Sequence, residues 1–348
     1  EAYKIVAQIA VPPILTTVSF QFVNLMSVYF VGHIGDPLAM AGLGMGNALI
    51  GSLCLAFCFG LNGTLESKVS QSYGLKDYEQ CGVWLNRGRL ILSAVMVPVA
   101  LLFLSSGKLM KAIGQDERVS DSACQFVSLM IPGVWAMSQF DATKRFCTSM
   151  FKPNLPFYTQ MISTFFHLIW CNLFINILDM KVVGAALSLN LTYFSNLFIL
   201  DYWISISKDF EGTWIKHDIR AFEEWGEYLR IGIYGAMLEC LGWWNLNICF
   251  LFTGYLGVTQ IATQVVIMQI KNFTTMIPTG VAFAASGLVG NCIGMDQVRR
   301  GQLYANICII FSMLVTFVML TIFTVFADSL SRLFTDNDEI VRSTQASF

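Results

Sequence analysis

The stretch "MLECLGWWNLN", residues 237–247, places one carboxylate, Glu239, inside an apolar run from Ile231 to Tyr255 that carries no other charge. An ionised group in a hydrocarbon setting is expensive and faces a bundle interior or a wet cavity. Lys271 stands in a similar position in the next apolar run. Counted along antiparallel helices, Glu239 and Lys271 reach comparable mid-depth. Two chemistries follow. One is a buried ion pair that fixes helix packing. The other is a carboxylate whose raised proton affinity lets it exchange a proton with a cationic solute near neutral pH, a role that a nearby lysine would oppose. Trp243, four residues beyond Glu239, shares its helix face and would suit an organic cation, or simply pack. Glu66 and Asp201 sit near span ends, where a side chain can either snorkel to water or line a path. Asp141 precedes Lys144 and Arg145 by one helical turn, which predicts a local ion pair.

Other chemistries find no support. Of His33, His167 and His217, none belongs to a cluster at metal-ligand spacing, and no phosphate-binding glycine loop occurs. No catalytic constellation stands out, so neither an enzymatic activity nor a cofactor is expected. The ten cysteines include no CxxC pair and mostly lie within apolar runs, as small core residues do. The glycosylation sequons at Asn62, Asn190 and Asn272 also lie in apolar stretches and are read as chance. The net charge of −2 argues against a nucleic-acid partner.

The elements that must position these residues are membrane helices. Hydrophobic residues make up 55% of the 348 and charged ones 13%, and mean hydropathy is +0.61, too apolar for a soluble surface. Nine apolar runs qualify as spans, near 5–34, 38–73, 85–106, 122–151, 155–178, 182–206, 228–256, 258–290 and 302–326. With the N-terminus inside, fourteen Lys and Arg fall on the cytoplasmic side and six on the other, with Lys271 mid-span. That is the positive-inside pattern. The expected membrane is the plasma membrane or that of an organelle. The chain starts "EAYKIV", without a recognisable signal peptide, and reads as the interior of a longer precursor.

The longest polar connection, 207–227, divides the chain into an expected six-helix lobe (1–206), a cytoplasmic linker (207–227) and a partial second lobe (228–348). An internal repeat supports the division. "GHIG" at 32–35 is echoed by "GYLG" at 254–257, an offset of 222 residues. "QSYGLKDYEQCG" at 71–82 is echoed by "NCIGMDQVRRG" at 291–301, an offset of 220 that aligns Gly74 with Gly294. Six spans separate the copies, an even number, so the halves are parallel repeats, an architecture of secondary transporters.

"FVGHIGDPLAMAGLGMGNAL", "GLNGTLESKVSQSYG" and "MIPTGVAFAASGLVGNCIG" resemble signatures of the multidrug and toxic compound extrusion family, MATE. "GTWIKHDIRAF" and "MLECLGWW" resemble its eukaryotic, plant-like branch. The resemblance implies an all-α fold of twelve helices in two six-helix lobes around a central cavity, nine of them visible here. It also implies export of organic cations and amphipathic solutes by alternating access, driven by inward proton or sodium flow. Residue by residue, it assigns binding roles to Glu66 in "TLES" and Asn190 in "SLNL", and it aligns Lys144 and Arg145 with a basic pair. The sequence departs from the family pattern at Gly242 and Asn247, which stand where a "CLEWW"-like motif and its following acid would carry carboxylates. It departs also at Thr148 and Met150, in place of glutamines, and at Ser27, in place of the bacterial first-helix acid.

The expectation is therefore a proton-coupled antiporter in a lipid bilayer, using a small-molecule substrate and a coupling ion, with Glu239, Trp243, Asn247, Asn190, Glu66 and Lys271 as candidate binding residues. The alternative is a transport-inactive MATE-like subunit of a larger membrane complex, suggested by the two absent carboxylates and by an end before the tenth helix. A lipid-linked-precursor flippase fold fits the motifs less well.

Overall fold

A computed structural model of the chain describes residues 2–34, 36–215, 218–253 and 258–325. Among these residues it is helical with no strands, as expected from the apolar runs. The helices are α1 (Ala2–His33), α2 (Pro37–Ile50), α3 (Ala56–Gly74), α4 (Tyr78–Ala112), α5 (Glu117–Ser149), α6 (Asn154–Cys171), α7 (Lys181–Ile206), α8 (Trp225–Thr253), α9 (Val258–Gly294) and α10 (Val298–Val325). One π-helical turn (Gly51–Leu55) joins α2 to α3, so the two make a single span; a second (Asn172–Ile177) extends α6. The described residues thus form nine long helical runs. Seven helices contain a stretch long and apolar enough to cross a bilayer by length and composition alone. The other two, α5 and α8, carry more polar and charged residues, including Asp141, Lys144 and Arg145 in α5 and Glu227, Arg230 and Glu239 in α8.

Local sequence explains the helix ends. Asp36, before Pro37, accepts hydrogen bonds from the Leu38 and Ala39 amides and caps α2. Asp77 caps α4 and Asp116 caps α5 in the same way. Each satisfies amides left without partners in the first turn. Lys181 also donates to Asp36 at 3.0 Å, tying the start of α7 to that of α2, and this hydrogen bond holds the Asp36 carboxyl below its usual value. Prolines 12, 13, 98, 132 and 278 lie within helices. At the first two, the Thr16 and Thr17 hydroxyls donate to the Pro12 and Pro13 carbonyls.

The repeat is visible in backbone detail. At the end of α3, the amides of Leu75, Lys76 and Asp77 donate to the carbonyls of Gln71, Tyr73 and Ser72, with Lys76 left-handed at φ 63°. At the end of α9, Met295, Asp296 and Gln297 donate to Asn291, Ile293 and Cys292, with Asp296 at φ 57°. These are Schellman closures, and every partner is displaced by the 220 residues that separate the two motifs.

Packing forms two cores. The larger, with Leu43, Leu65, Leu92, Phe103, Phe126 and Phe146 fully buried, joins α2 to α5 and α7. The smaller joins Val6 and Ala10 of α1 to Val281, Ala284 and Leu288 of α9 and Tyr304 and Ile307 of α10. Thus α1 contacts both α6 and α9, while α3 contacts α4, α5, α8 and α9. Apolar side chains on the outer faces of α4, α7 and α10 are exposed, as lipid-facing residues are.

Candidate functional site

The candidate site is built where α3, α5 and α9 meet. Glu66 lies two turns before the end of α3, and its side chain is 3% exposed. The Arg145 Nη1 of α5 donates to the Glu66 carboxylate at 2.9 Å, and its Nε donates to Asp141 at 2.9 Å. Lys144 Nζ lies 2.6 Å from the other Asp141 oxygen. Asn62 of α3 donates to Asp141 at 2.9 Å. Two carboxylates therefore face two cations in one quartet, with Glu66, Asp141 and Arg145 buried and Lys144 at its edge. Phe283 of α9 covers it, its ring centre 4.6 Å from the Arg145 guanidinium carbon and 5.0 Å from Lys144 Nζ. Cation–π contact of this kind adds attraction where water is excluded.

Beyond the quartet, toward their C-terminal ends, α3 and α9 cross. A Cβ on Gly74 would lie 2.3 Å from the Asn291 carbonyl oxygen, and one on Gly294 would lie 2.2 Å from the Gln71 carbonyl oxygen. Residues 71 and 291 are repeat partners, as are 74 and 294, so the contact is reciprocal. A Cβ on Gly290 would likewise strike the hydroxyl of its own repeat partner, Ser70. Only glycine permits this approach. Asn291 then donates to the Ser149 carbonyl at 2.8 Å, and the Ser149 hydroxyl donates to the Glu66 carbonyl at 3.2 Å. Crossing and quartet form one connected unit.

Further contacts continue toward mid-depth. Gly60 of α3 meets the backbone of Gly235 and Ala236 on α8, and Tyr228 of α8 donates to the Leu61 carbonyl at 3.0 Å. Thr17 of α1 donates to the Met276 carbonyl at 3.1 Å. These contacts tie α3 to α8 and α1 to α9.

The structure places the candidate residues unevenly. Glu66 is buried and paired, and does not snorkel. Asn190 of α7 is also buried; its amide donates to the Leu129 and Ala186 carbonyls at 2.9 and 2.8 Å, and it sits against Gly133, where a Cβ would lie 2.3 Å from Asn190 Oδ1. Glu239 is not enclosed. Its side chain is exposed, on the flank of the α8 face that packs through Gly232, Ala236 and Cys240. The expectation of a buried Glu239 is corrected accordingly: α8 presses one stripe against α3, and residue 239 falls beside that stripe. Trp243 is half-buried with its ring against Gly51 of the π-helical turn, and Trp244 donates to the Ser52 carbonyl at 3.1 Å. Packing and a role beside Glu239 are both compatible with that position. Asn247 and Lys271 belong to α8 and α9, but their side chains lie outside the described residues, and with them the Glu239–Lys271 pair.

Three arrangements were not foreseen from sequence. Asn62, dismissed as a chance sequon, is the amide that holds Asp141. His167 is fully buried, with Nε2 at 3.0 Å from Ser27 Oγ and 3.2 Å from Cys171 Sγ, and Nδ1 at 2.8 Å from Thr192 Oγ1. Asp201, expected to snorkel or line a path, pairs with Arg89 of α4 at 2.5 Å. Apart from Cys171, one turn from His167 on α6, every partner comes from another helix, so sequence alone gives little sign of these arrangements.

Comparison with known proteins gives a consistent result. The family model MatE matches residues 12–173 and 236–346. The chain is 24% identical to multidrug and toxin extrusion protein 1 of Danio rerio, over 96% of this chain and 56% of that protein. It is 25% identical to Protein DETOXIFICATION 8 of Arabidopsis thaliana, over 90% of this chain and 65% of that protein. The chain thus spans somewhat over half the length of the curated relatives it matches. Among solved structures, the eukaryotic MATE transporter AtDTX14 superposes with a TM-score of 0.94 at 23% identity, covering 99% of this chain and 78% of that one. A MOP superfamily transporter from Pyrococcus furiosus superposes with a TM-score of 0.88 at 16% identity, covering 100% and 78%.

Proposed function

This chain belongs to the MatE family, an integral, multi-pass membrane protein, and we propose that it is a secondary efflux transporter for organic cations or amphipathic solutes. In this reading transport is antiport against inward proton flow, by alternating access of two parallel-repeat lobes, 1–206 and 228–348, joined by the linker 207–227. The observation that carries the reading is the reciprocal crossing of α3 and α9 at Gly74 and Gly294. Two repeat-related helices that meet at their C-terminal ends, cytoplasmic in this reading, form a closure that a rigid-body rocking of one lobe against the other would open.

In the same reading the quartet locks the closed state. Protonating Glu66 or Asp141 removes one negative charge, leaves a buried cation without its partner and weakens the tie between α3 and α5 beneath Phe283. Glu239, Trp243, Asn190, Asn247 and Lys271 are proposed to contact the solute or the coupling ion. Exposed Glu239 is the carboxylate among them that is free to meet a cation.

The test is transport by the chain reconstituted into vesicles, with an imposed pH gradient and a fluorescent organic cation. Glu239→Gln is expected to reduce gradient-driven uptake at least tenfold while leaving the melting temperature in place. Uptake equal to wild type in Glu239→Gln would remove Glu239 from the coupling path. Stoichiometric purification within a larger complex, without uptake, would favour the structural-subunit reading instead.

A further inference from the structure

On the cytoplasmic side of the bundle, α4 and α7 each pack on α5 and leave a cleft between them. Trp135 and Gln139 of α5 form its floor, and the linker closes its cytoplasmic end with Ala221, Ile219 and Phe222. The cavity measures about 560 Å³, within the size range of ligand sites, roughly 300–1,000 Å³. It belongs neither to the α3–α9 crossing nor to the charged quartet.

Its polar content is amphoteric. Arg89 donates through Nη2 to Asp201 and to Thr143 Oγ1, and its guanidinium carbon lies 5.3 Å from the Trp214 ring centre. Both hydrogen bonds use Nη2, and the Arg89 side chain, 20% exposed, lines the cleft with Nη1 making no hydrogen bond among the described residues. An unsatisfied guanidinium edge suits a phosphate. Asp201 engages Arg89 through Oδ1, which leaves a second carboxylate oxygen for an ammonium group. The rim is apolar: Phe198 and Tyr202 of α7 are more than 60% exposed, as is Phe222, and Ile219 is 77% exposed. Beyond the rim, toward mid-membrane, Val97 and Leu101 of α4 and Leu191 of α7 continue the exposed apolar surface. The positive-inside pattern sets this cleft at the level of the cytoplasmic leaflet.

We propose that this cleft binds a zwitterionic phospholipid of the cytoplasmic leaflet, its phosphate on Arg89, its ammonium on Asp201 and its acyl chains along the groove between α4 and α7. Charge complementarity favours this occupant. A purely anionic lipid would satisfy Arg89 but face Asp201 and Asp218, whereas a simple organic cation would leave the guanidinium edge unmet. Because the linker forms one wall, the bound lipid would brace the linker against α4 and α7.

Native mass spectrometry of the purified chain in mixed micelles, titrated with phosphatidylethanolamine or phosphatidylglycerol, tests the assignment. Wild type is expected to retain one phosphatidylethanolamine, at least fivefold preferred over phosphatidylglycerol. Arg89→Gln is expected to reduce occupancy at least fivefold, and Asp201→Asn to reverse the preference toward phosphatidylglycerol. Phe222→Ser, on the exposed rim, supplies a variant whose core is untouched and is expected to lower occupancy without altering the preference. Equal binding of the two lipids to wild type, or displacement of the bound lipid by a micromolar organic cation, would overturn the proposal; the wild-type comparison decides it even if the Arg89 variant does not fold.

Discussion

Replacing Gly74 with alanine probes the α3–α9 crossing directly. The added Cβ would sit 2.3 Å from the Asn291 carbonyl oxygen and 3.0 Å from its carbon. Non-bonded atoms settle near 3.5 Å, so the helices must part by roughly 1 Å. Both obstructing atoms are backbone, and no side-chain rotation relieves them. Overpacking of this kind costs about 1–3 kcal/mol, which corresponds to a shift of about 5- to 150-fold in the ratio of closed to open cytoplasmic states. Spin labels at Tyr78 and Val298, exposed repeat partners that open α4 and α10, report the separation by pulsed electron resonance. Gly74→Ala and Gly294→Ala should each broaden the distance distribution toward longer values, to a similar degree because their clashes are reciprocal. The double variant should fall short of additivity, since a Cβ on Gly294 also approaches Gly74 Cα at 3.0 Å. Gly63→Ala is the control, because a Cβ there meets nothing within 4 Å. An unchanged distribution in both crossing variants, or the same broadening in the control, would show that the crossing does not hold the two helix ends together.

Other perturbations follow from the charges. Asp141→Asn leaves Lys144 and Arg145 facing one carboxylate and should destabilise the chain by about 3–5 kcal/mol, read as a lower melting temperature in detergent; a change within experimental error would contradict the quartet. Lys68→Met, which breaks the half-exposed pair with Glu227, should alter stability by no more than about 1 kcal/mol in the same assay. In the linker, the side-chain hydrogen bond from Arg220, aided by the Arg220 amide, holds the Asp218 carboxyl below its ordinary value. A depressed carboxyl contributes its stability above the unfolded value and loses it as pH falls through the folded one. Linker docking, followed by Trp214 fluorescence, should therefore be flat from neutral pH down to about 4 and weaken only below it; loss near pH 6 would assign the docking to another group.

Much of the fold was legible because hydrocarbon-length apolar runs and the 220-residue repeat are local or periodic signals. The Asp141–Lys144–Arg145 group was legible for the same reason, as the partners lie on one helix at spacings of three and four. Glu66 could be singled out, but its partner could not, because Arg145 is 79 residues away on another helix. The same holds for Asn62 and for Arg89 with Asp201. Glu239 illustrates a different limit. A charge in the middle of an apolar run reads as buried in one dimension, yet burial depends on which stripe of α8 meets α3, and position 239 lies just outside that stripe. Gly74 and Gly294 were visible as an aligned pair, but their close approach needs the crossing itself.

The proposed transport is exchange of solute against a proton gradient. Purified chain reconstituted into vesicles, with an organic cation outside and an acidic interior, measures this most directly. Accumulation should rise with the imposed gradient and collapse when a protonophore dissipates it. Vesicles that take up no more cation than protein-free controls, or that fill equally with and without the gradient, would contradict it.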